Sequence, residues 1–255
     1  MCQLLGMNCN VPTDIVFSFT GFQQRGGGTD HHSDGWGIAF FEGAGCRVFL
    51  DPAAAVDSPV AALVRSYPIR SLNVVAHIRK ATQGRVALEN THPFMRELWG
   101  RYWLFAHNGD LKNYAPTHTG AYRPVGETDS EAAFCDLLHT LTAQFGDAPP
   151  DHDGLGQAIA AWAADTARYG VFNFLLSNGE ALFAHCATNL AYIERRAPFT
   201  KAHLVDEDVT VDFSEVTTPN DRVAVIATVP LTDNETWTTL SPGEFAQFRD
   251  GVRVR

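Results

Sequence analysis

The chain alternates short apolar runs with clusters of glycine, asparagine and aspartate, a pattern typical of β-strands joined by turns. Six of these runs predict strands, at Gly37–Phe41, Leu72–Ile78, Tyr102–His107, Val171–Leu176, Leu182–Cys186 and Arg222–Thr228. Asn178-Gly179 and Asp250-Gly251 each stand between apolar runs, and a two-residue type I′ turn at such a place requires positive φ at both central positions. Two antiparallel hairpins are therefore predicted.

Three segments repeat their apolar residues with the period of an α-helix. They predict helices over Asp129–Phe145, over Leu155–Tyr169 and, less regularly, over Asp14–Gln24 with Thr13 as its cap. Ser58-Pro59 predicts the start of a fourth helix, because serine caps well and proline suits the first helical position.

The strands lie on both sides of a pair of helices instead of alternating with helices one for one. This order favours an α+β fold in which antiparallel sheets carry helices on their outer faces. The best candidate for a linker is Pro149–Gly154, although strands on both sides of it could share one core. Because 255 residues suffice for one large domain, a single domain over residues 1–255 is expected.

The charge balance narrows the classes of partner. The chain has 19 Lys and Arg residues against 29 Asp and Glu residues, a formal net charge of −10. Nucleic acid and anionic membranes both require a basic surface, so neither is expected as a partner. There is no signal peptide and no apolar stretch of membrane-spanning length, which predicts a soluble, cytoplasmic protein.

The cysteines and histidines do not form a recognisable metal or disulfide pattern. The five cysteines are odd in number, scattered, and never in a Cys-x-x-Cys pair. Asp30-His31-His32-Ser33-Asp34 places adjacent side chains in different directions, and no distant residues complete a ligand set. We therefore expect no metal and no cofactor.

Cys2 is unusual because it directly follows the initiator methionine. A chain end tolerates change, so a reactive residue there requires a packing reason or a chemical one. If Met1 is removed, Cys2 carries both a thiol and a free α-amine. Their reference pKa values, about 8.5 and about 7.7–8.0, are close enough for the amine to act as general base for the thiol.

Other polar residues each have a simple structural interpretation as well as a catalytic one. Arg79, at the end of an apolar strand, could be a cation at a sheet edge, and Asn108-Gly109 could be a hairpin turn. Asp129 could be the N-cap of the helix that follows. The glycines after Arg25 lack the sequence context of a phosphate-binding loop and favour a tight turn.

Together the same residues fit the attack of a thiolate on an amide. The side-chain amide of Asn108 and the N–H of Gly109 can stabilise an oxyanion. Arg79 and Asp129 offer the guanidinium and the carboxylate that bind the α-carboxylate and the α-ammonium of an amino acid.

The chain resembles the class II glutamine amidotransferases, members of the N-terminal nucleophile hydrolase superfamily. The ordered motifs that carry this resemblance are Cys2, Arg25-Gly26, the run His77-x-Arg79-x-Ala81-Thr82-x-Gly84, His107-Asn108-Gly109 and Glu127-Thr128-Asp129-Ser130-Glu131. Asp34-Gly35-Trp36-Gly37 and Glu89–Phe94 are most like the short, stand-alone YafJ-type branch. The resemblance thus covers nearly the whole chain.

The resemblance implies a role for each matching residue. Cys2 would be the mature N-terminal nucleophile, and Asn108 and Gly109 would form the oxyanion hole. The glutamyl group would be bound by Arg79 through its α-carboxylate, by Asp129 through its α-ammonium, and by Thr82. The supporting residues would be Arg25, His77, His92 and Trp36.

The resemblance also implies a four-layer αββα sandwich of two antiparallel sheets, and hydrolysis of the γ-amide of glutamine or of a γ-glutamyl compound. One departure is Gln83, which stands where the family often has histidine. Another is that residues 132–255 contain no recognisable site for an ammonia acceptor. Open alternatives are a subunit that delivers ammonia to a separate acceptor enzyme, a γ-glutamyl peptide or thiol-metabolite hydrolase, a redox thiol, and a silent glutamyl-binding module if Met1 is retained.

Overall fold

The structure is a computed structural model that describes residues 2–81, 84–116 and 120–255. Within these residues the α-helices are α1 (Val16–Gln24), α2 (Pro59–Ser66), α3 (Asp129–Phe145) and α4 (His152–Thr166). In this described part of the chain, no helix is long and apolar enough to cross a membrane. Short 3₁₀ helices cover Ala55–Asp57, Leu88–Asn90, Ala167–Tyr169 and Phe213–Glu215.

The strands follow one another along the whole chain. They are β1 (Gln3–Thr13), β2 (Trp36–Glu42), β3 (Gly45–Asp51), β4 (Ser71–Ile78), β5 (Phe94–Leu98), β6 (Arg101–Leu111), β7 (Gly170–Ser177), β8 (Leu182–His185), β9 (Ala191–Arg196), β10 (Lys201–His203), β11 (Thr210–Asp212), β12 (Arg222–Ala227), β13 (Thr238–Thr239), β14 (Phe245–Arg249) and β15 (Val252–Arg253). One antiparallel sheet has the order β13-β9-β12-β1-β4-β2-β3, and another has the order β15-β14-β8-β7-β6-β5. Strands β10 and β11 pair separately.

Three apolar clusters show how the layers pack. The first lies between the seven-stranded sheet and helices α1 and α2, and includes Phe19 and Phe22. The second lies between the six-stranded sheet and helices α3 and α4, and includes Phe134 and Trp162. The third, which includes Leu4, fills the space between the two sheets. The predicted αββα sandwich is confirmed.

Strand β1 occupies the middle of the seven-stranded sheet. Leu5 is paired with Ala227 of β12 on one side and with Ala76 of β4 on the other. Both faces of β1 are buried from Gln3 to Cys9, so the strand does not alternate polar and apolar residues. For this reason the sequence pattern did not predict it.

The six predicted strands correspond to β2, β4, β6, β7, β8 and β12. Asp250 and Gly251 have φ values of 51° and 76° between the last two strands, which confirms the predicted two-residue turn. The second predicted hairpin joins β7 to β8. Its loop is longer than predicted, because Ser177 pairs with Leu182.

Two of the predicted helix starts require correction. Helix α3 has the predicted bounds, and the Ser58 side chain accepts a hydrogen bond from the Ala61 N–H at the start of α2, as expected. Thr13 is not the cap of α1, because β1 continues through that residue. The linker interpretation of Pro149–Gly154 is wrong: Asp151 caps α4 by accepting from the Gly154 N–H at 2.8 Å, and the helix begins at His152.

Candidate active site

The Cys2 thiol meets the backbone just beyond the end of β4. The thiol donates to the Lys80 carbonyl oxygen at 3.3 Å, and Sγ accepts a hydrogen bond from the Lys80 N–H at 3.2 Å. Burial raises the pKa of the Cys2 thiol above its ordinary value, and the hydrogen bond from Lys80 acts in the opposite direction. Backbone atoms of the neighbouring segment therefore position the sulfur.

Asn108 reaches Cys2 from the opposite sheet. It lies in β6, and its side-chain Nδ2 donates a hydrogen bond to the carbonyl oxygen of Cys2. The Asn108 Oδ1 is buried and has no hydrogen-bond partner among the described residues. A buried acceptor without a donor is costly, so this amide has unused capacity beside residue 2.

Thr228 contacts the same Asn108 amide. It directly follows β12, the strand that pairs with β1 on the side opposite β4. Its Oγ1 accepts a hydrogen bond from the Leu4 N–H at 2.9 Å and lies 3.5 Å from Asn108 Nδ2. Its N–H donates to the Leu4 carbonyl oxygen at 3.1 Å. Sequence reasoning missed Thr228, because it ends an apolar run and belongs to no motif.

Arg25 supports this region from the end of α1. Its Nε donates to Asp206 at 2.8 Å, and its Nη1 and Nη2 donate to the carbonyl oxygens of Val229 and Pro230 at 2.8 and 2.7 Å. Both partners of the Arg25–Asp206 ion pair are nearly inaccessible to solvent. Arg25 therefore fixes the segment that directly follows Thr228.

Gly109 lies inside strand β6, so the hairpin-turn interpretation of Asn108-Gly109 is wrong. A Cβ at Gly109 would lie 1.7 Å from the carbonyl oxygen of Val171 on the neighbouring strand β7. The glycine is thus required by the close approach of two strands, in addition to any role toward a substrate.

Arg79 is buried, which rules out its interpretation as an exposed cation at a sheet edge. Its Nη1 donates to the Arg85 carbonyl oxygen at 3.1 Å, and its Nη2 donates to the Gly84 carbonyl oxygen at 3.2 Å. Burial lowers the pKa of the Arg79 guanidinium, and the nearby Cys2 sulfur opposes that effect. Thr82, predicted to bind substrate beside Arg79, lies outside the described residues.

Asp129 is the first residue of α3, but it is not the cap. The Thr128 side chain takes that role by accepting from the Glu131 N–H at 3.2 Å. Asp129 Oδ2 instead accepts from the Leu111 N–H at 2.7 Å, at the end of β6. The carboxylate is therefore held at the end of the strand that carries Asn108.

A glycine links the surroundings of Arg79 and Asp129. The Gly84 carbonyl oxygen accepts the hydrogen bond from Arg79 Nη2, and Gly84 has a φ of 71°. A Cβ at this position would lie 3.4 Å from Cγ2 of Thr128, the residue before Asp129. Gly84 thus lies between the Arg79 guanidinium and the residue that precedes Asp129.

His77 and His92 lie together in the interior, with ring centroids 4.3 Å apart. Burial lowers the pKa of His77 to about 3 and that of His92 well below its ordinary value, so both rings are neutral at physiological pH. The four ring nitrogens of this pair make no hydrogen bonds to the described residues. Packing therefore holds the two rings in place, and their supporting role toward the site stays a prediction.

Trp36 is fully buried, but it lies in the cluster between the seven-stranded sheet and helix α1. Its ring centroid is 5.6 Å from that of Phe19. Leu5 and Met7 of β1 point into the same cluster as Trp36. Successive side chains of a strand point to opposite faces, so the Cys2 side chain lies on the other face of the sheet, with Leu4. The supporting role predicted for Trp36 is not a direct contact with the Cys2 side chain and stays a prediction.

The class II glutamine amidotransferase family model matches residues 1–255. The chain belongs to this family. It is 59% identical over 254 residues to YafJ of Escherichia coli (strain K12), a proposed glutamine amidotransferase, and the match covers 100% of both chains.

Two further relatives of this amidotransferase are informative. The 2.0 Å crystal structure of a predicted glutamine amidotransferase from Pseudomonas aeruginosa PA01 superimposes with a TM-score of 0.80 at 50% identity, covering 100% of both chains. The γ-glutamyl-hercynylcysteine sulfoxide hydrolase of Mycobacterium tuberculosis (strain ATCC 25618 / H37Rv) is 33% identical over 170 residues, 65% of this chain and 64% of that protein.

Proposed function

We propose that this class II amidotransferase hydrolyses the γ-amide of glutamine or of a γ-glutamyl compound through a γ-glutamyl thioester on Cys2. The observation that carries the proposal is the hydrogen bond from the Asn108 amide to the Cys2 carbonyl oxygen. It brings a thiol and a neutral N–H donor from opposite sheets to one place. Family membership supports glutamine as the substrate. We also propose that residues 1–255 act as one domain.

The first half of the reaction requires the α-amine of Cys2, which becomes free when Met1 is removed. The neutral amine takes the thiol proton as Sγ attacks the γ-carbonyl carbon. The carbon–nitrogen bond then breaks, and the proton passes to the leaving nitrogen. Ammonia or an amine departs, and the γ-glutamyl group stays on Cys2 as a thioester.

The second half returns the enzyme to its starting state. A water molecule attacks the thioester carbonyl carbon, the carbon–sulfur bond breaks, and glutamate leaves while Sγ regains a proton. In both halves the negative oxygen is stabilised by the N–H of Gly109 and by an N–H of the Asn108 amide, which gives up its long 3.5 Å hydrogen bond to Thr228 Oγ1 to donate to the oxyanion. Thr228 and Arg25 hold the backbone on which this arrangement depends.

The glutamyl head group is held by two charged residues in this proposal. Arg79 binds the α-carboxylate and Asp129 binds the α-ammonium, with Thr82 as a further contact. Both charged side chains are held by backbone groups, Arg79 by two carbonyl oxygens and Asp129 by the Leu111 N–H. A pre-positioned pair of this kind recognises an amino acid and leaves the amide end of the substrate unspecified.

Replacing Cys2 with alanine tests the proposal. Glutamate and ammonia release from glutamine, and from a panel of γ-glutamyl amides, should fall to the uncatalysed rate in Cys2→Ala. The matched control is Cys46→Ala, because Cys46 lies on β3 and is likewise only partly buried. Unchanged glutamate release by Cys2→Ala would refute the thioester mechanism.

The mass of the native protein tests its maturation. The proposal requires that Met1 is absent and that residue 2 is the N-terminus. A retained methionine would leave the α-amine on the wrong residue and favour a silent glutamyl-binding module.

A γ-glutamyl compound other than glutamine is the second candidate substrate, and the similarity to the Mycobacterium tuberculosis hydrolase favours it. The ratio of released ammonia to released glutamate separates the two. Glutamine gives both products in equal amounts, whereas a γ-glutamyl peptide or thiol metabolite gives glutamate without ammonia. Weak activity alone that rises with a co-purified synthase would instead indicate ammonia delivery to an acceptor protein.

A further inference from the structure

A cavity lies on the outer side of the six-stranded sheet, away from Cys2. It has a volume of about 680 Å³ and is lined by residues of α3, of α4, of the 3₁₀ helix after α4 and of the segment that follows β6. Trp162, one of its lining residues, packs on Phe172 of the outer face with ring centroids 5.3 Å apart. Of the candidate active-site residues that the structure describes, none lines this cavity.

One carboxylate in the cavity has a fixed position. Asp136 Oδ2 accepts hydrogen bonds from the Tyr114 hydroxyl at 2.8 Å and from Trp162 Nε1 at 2.9 Å. Burial and the charge of Asp136 raise the pKa of Tyr114, so the hydroxyl remains a donor at physiological pH. Among the described residues, no hydrogen-bond donor reaches Asp136 Oδ1. The carboxylate therefore has one oxygen tied to the protein and one that can accept from a ligand.

The remaining lining residues combine aromatic and polar side chains, and the lining carries a net negative charge. Tyr114 and Tyr169 form one aromatic wall, with ring centroids 5.0 Å apart. The other two charged residues, Asp165 and Arg168, form an exposed ion pair at 3.2 Å and compensate each other. The charge of Asp136 is thus left without a cation among the described lining residues.

We propose that this cavity binds an organic ammonium ion with an aromatic or alkyl substituent. The ammonium group donates to Asp136 Oδ1, and the substituent packs on Tyr114, Trp162 and Tyr169. Aromatic rings beside a fixed carboxylate suit such an ion, because the ring faces attract a cation and offer apolar surface against which the substituent can pack. A carboxylate or phosphate ligand is disfavoured by the same charge.

Binding of phenethylammonium, followed by calorimetry and by Trp fluorescence, tests this site without reference to turnover. The neutral analogue 2-phenylethanol has nearly the same shape and serves as the matched ligand. Phenethylammonium should saturate one site and bind at least about tenfold more tightly than the alcohol, the difference expected from one charge-assisted hydrogen bond. Equal binding of the two compounds, or no saturable binding, would overturn the proposal.

Two variants locate the binding. Asp136→Asn should weaken phenethylammonium binding at least about tenfold, because the charge is lost while the shape is kept. Asp147→Asn, at an exposed position just after α3, is the control and should bind as the parent does.

Ala161→Leu should abolish binding, since Ala161 lines the cavity from an exposed position of α4 and a larger side chain would fill it. If Asp136→Asn does not fold, Ala161→Leu decides the question alone. Unchanged binding by Ala161→Leu would place the ligand elsewhere and overturn the proposal.

Discussion

The side-chain amide of Asn173 donates a hydrogen bond to the backbone carbonyl oxygen of Asn108 at 3.0 Å, and the two residues are paired across β7 and β6. The same Nδ2 donates to Thr188 Oγ1 at 3.0 Å, and Oδ1 accepts from the N–H groups of Ala187 and Thr188 at 2.8 and 2.9 Å. Asn173 is fully buried. It thus ties the residue that contacts Cys2 to the loop after β8.

Asn173→Asp should impair catalysis more than binding. A carboxylate cannot donate to the Asn108 carbonyl oxygen and repels it, so the Asn108 backbone should shift while the glutamyl anchors stay in place. We expect kcat to fall at least about tenfold and KM to change by less than about twofold, as for the loss of an oriented transition-state contact. Steady-state kinetics with glutamine measure both.

Asn73→Asp is the matched control for Asn173→Asp. Asn73 is also a buried asparagine, and its amide donates to the Gly179 carbonyl oxygen at 2.7 Å, with no contact to Asn108. Both variants should lose about 1–3 kcal/mol of unfolding free energy, the cost of an unsatisfied buried group. If Asn73→Asp lowered kcat equally, the effect would be one of stability, and Asn173 would have no positioning role.

Gly109→Ala should lower the free energy of unfolding of the protein, whatever its effect on catalysis. The new Cβ would lie 1.7 Å from the Val171 carbonyl oxygen, which belongs to the backbone and cannot rotate away. We expect a loss of about 3 kcal/mol or more, the upper range for an overpacked interior. Urea denaturation followed by circular dichroism measures it. Gly45→Ala, where the nearest atom would be 3.4 Å away, should change stability by less than about 0.5 kcal/mol.

Arg25→Gln should break a buried ion pair. Asp206 would remain as an unpaired buried carboxylate, and we expect a loss of about 3–5 kcal/mol. Adding Asp206→Asn should recover part of this loss. The control, Arg47→Gln, removes an exposed pair with Glu42, which solvent screens, and should leave the free energy of unfolding nearly unchanged. Equal losses in the two single variants would contradict a structural role for Arg25.

Acid should destabilise the folded protein through its buried histidines. Burial lowers the pKa of His77 to about 3, whereas the same residue in the unfolded chain titrates near its ordinary value. Between these two pKa values the unfolded chain binds the proton and the folded protein does not. Stability is therefore complete above about pH 6.5 and falls continuously toward pH 3, with about 2 kcal/mol lost by pH 5 from His77 alone.

Urea denaturation at pH 7.5 and pH 5 measures this loss. His92 acts in the same direction, since its pKa is also lowered. In His77→Gln the difference between the two pH values should shrink by about 2 kcal/mol, because glutamine does not titrate. An unchanged difference in this variant would show that His77 is not the group that binds the proton.

The sequence predicted those elements whose apolar residues repeat with a clear helical or strand period and whose ends carry recognisable signals. Helix α3 was predicted with its observed bounds because its apolar stripe and its acidic first turn agree. The start of α4 was misplaced because Asp151 follows two prolines and was interpreted as part of a linker. Strand β1 was missed because burial on both faces removes the alternation on which the prediction depends.

Residue type and order singled out Cys2, Arg79, Asn108 and Asp129, because each supplies a functional group that amide hydrolysis needs. Thr228 and Asn173 could not be found in this way. Each acts through the pairing of segments that are far apart in the chain, as when the Thr228 N–H donates to the Leu4 carbonyl oxygen at 3.1 Å. Such a contact depends on which strands pair in the sheet, and neither the residue type nor its neighbours in the sequence indicate it.

The central place of β1 has a consequence for the timing of synthesis. One edge of this strand is covered by β4, which is made early, but the other is covered by β12, which begins only at Arg222. At typical rates of translation, roughly 10–45 s pass before that second partner exists. During that interval the strand that follows residue 2 has one unpaired edge, which leaves access for the removal of Met1 that the proposed mechanism requires. The strand that directly follows the proposed nucleophile is thus made first, and it is paired on both edges only after β12 has been made.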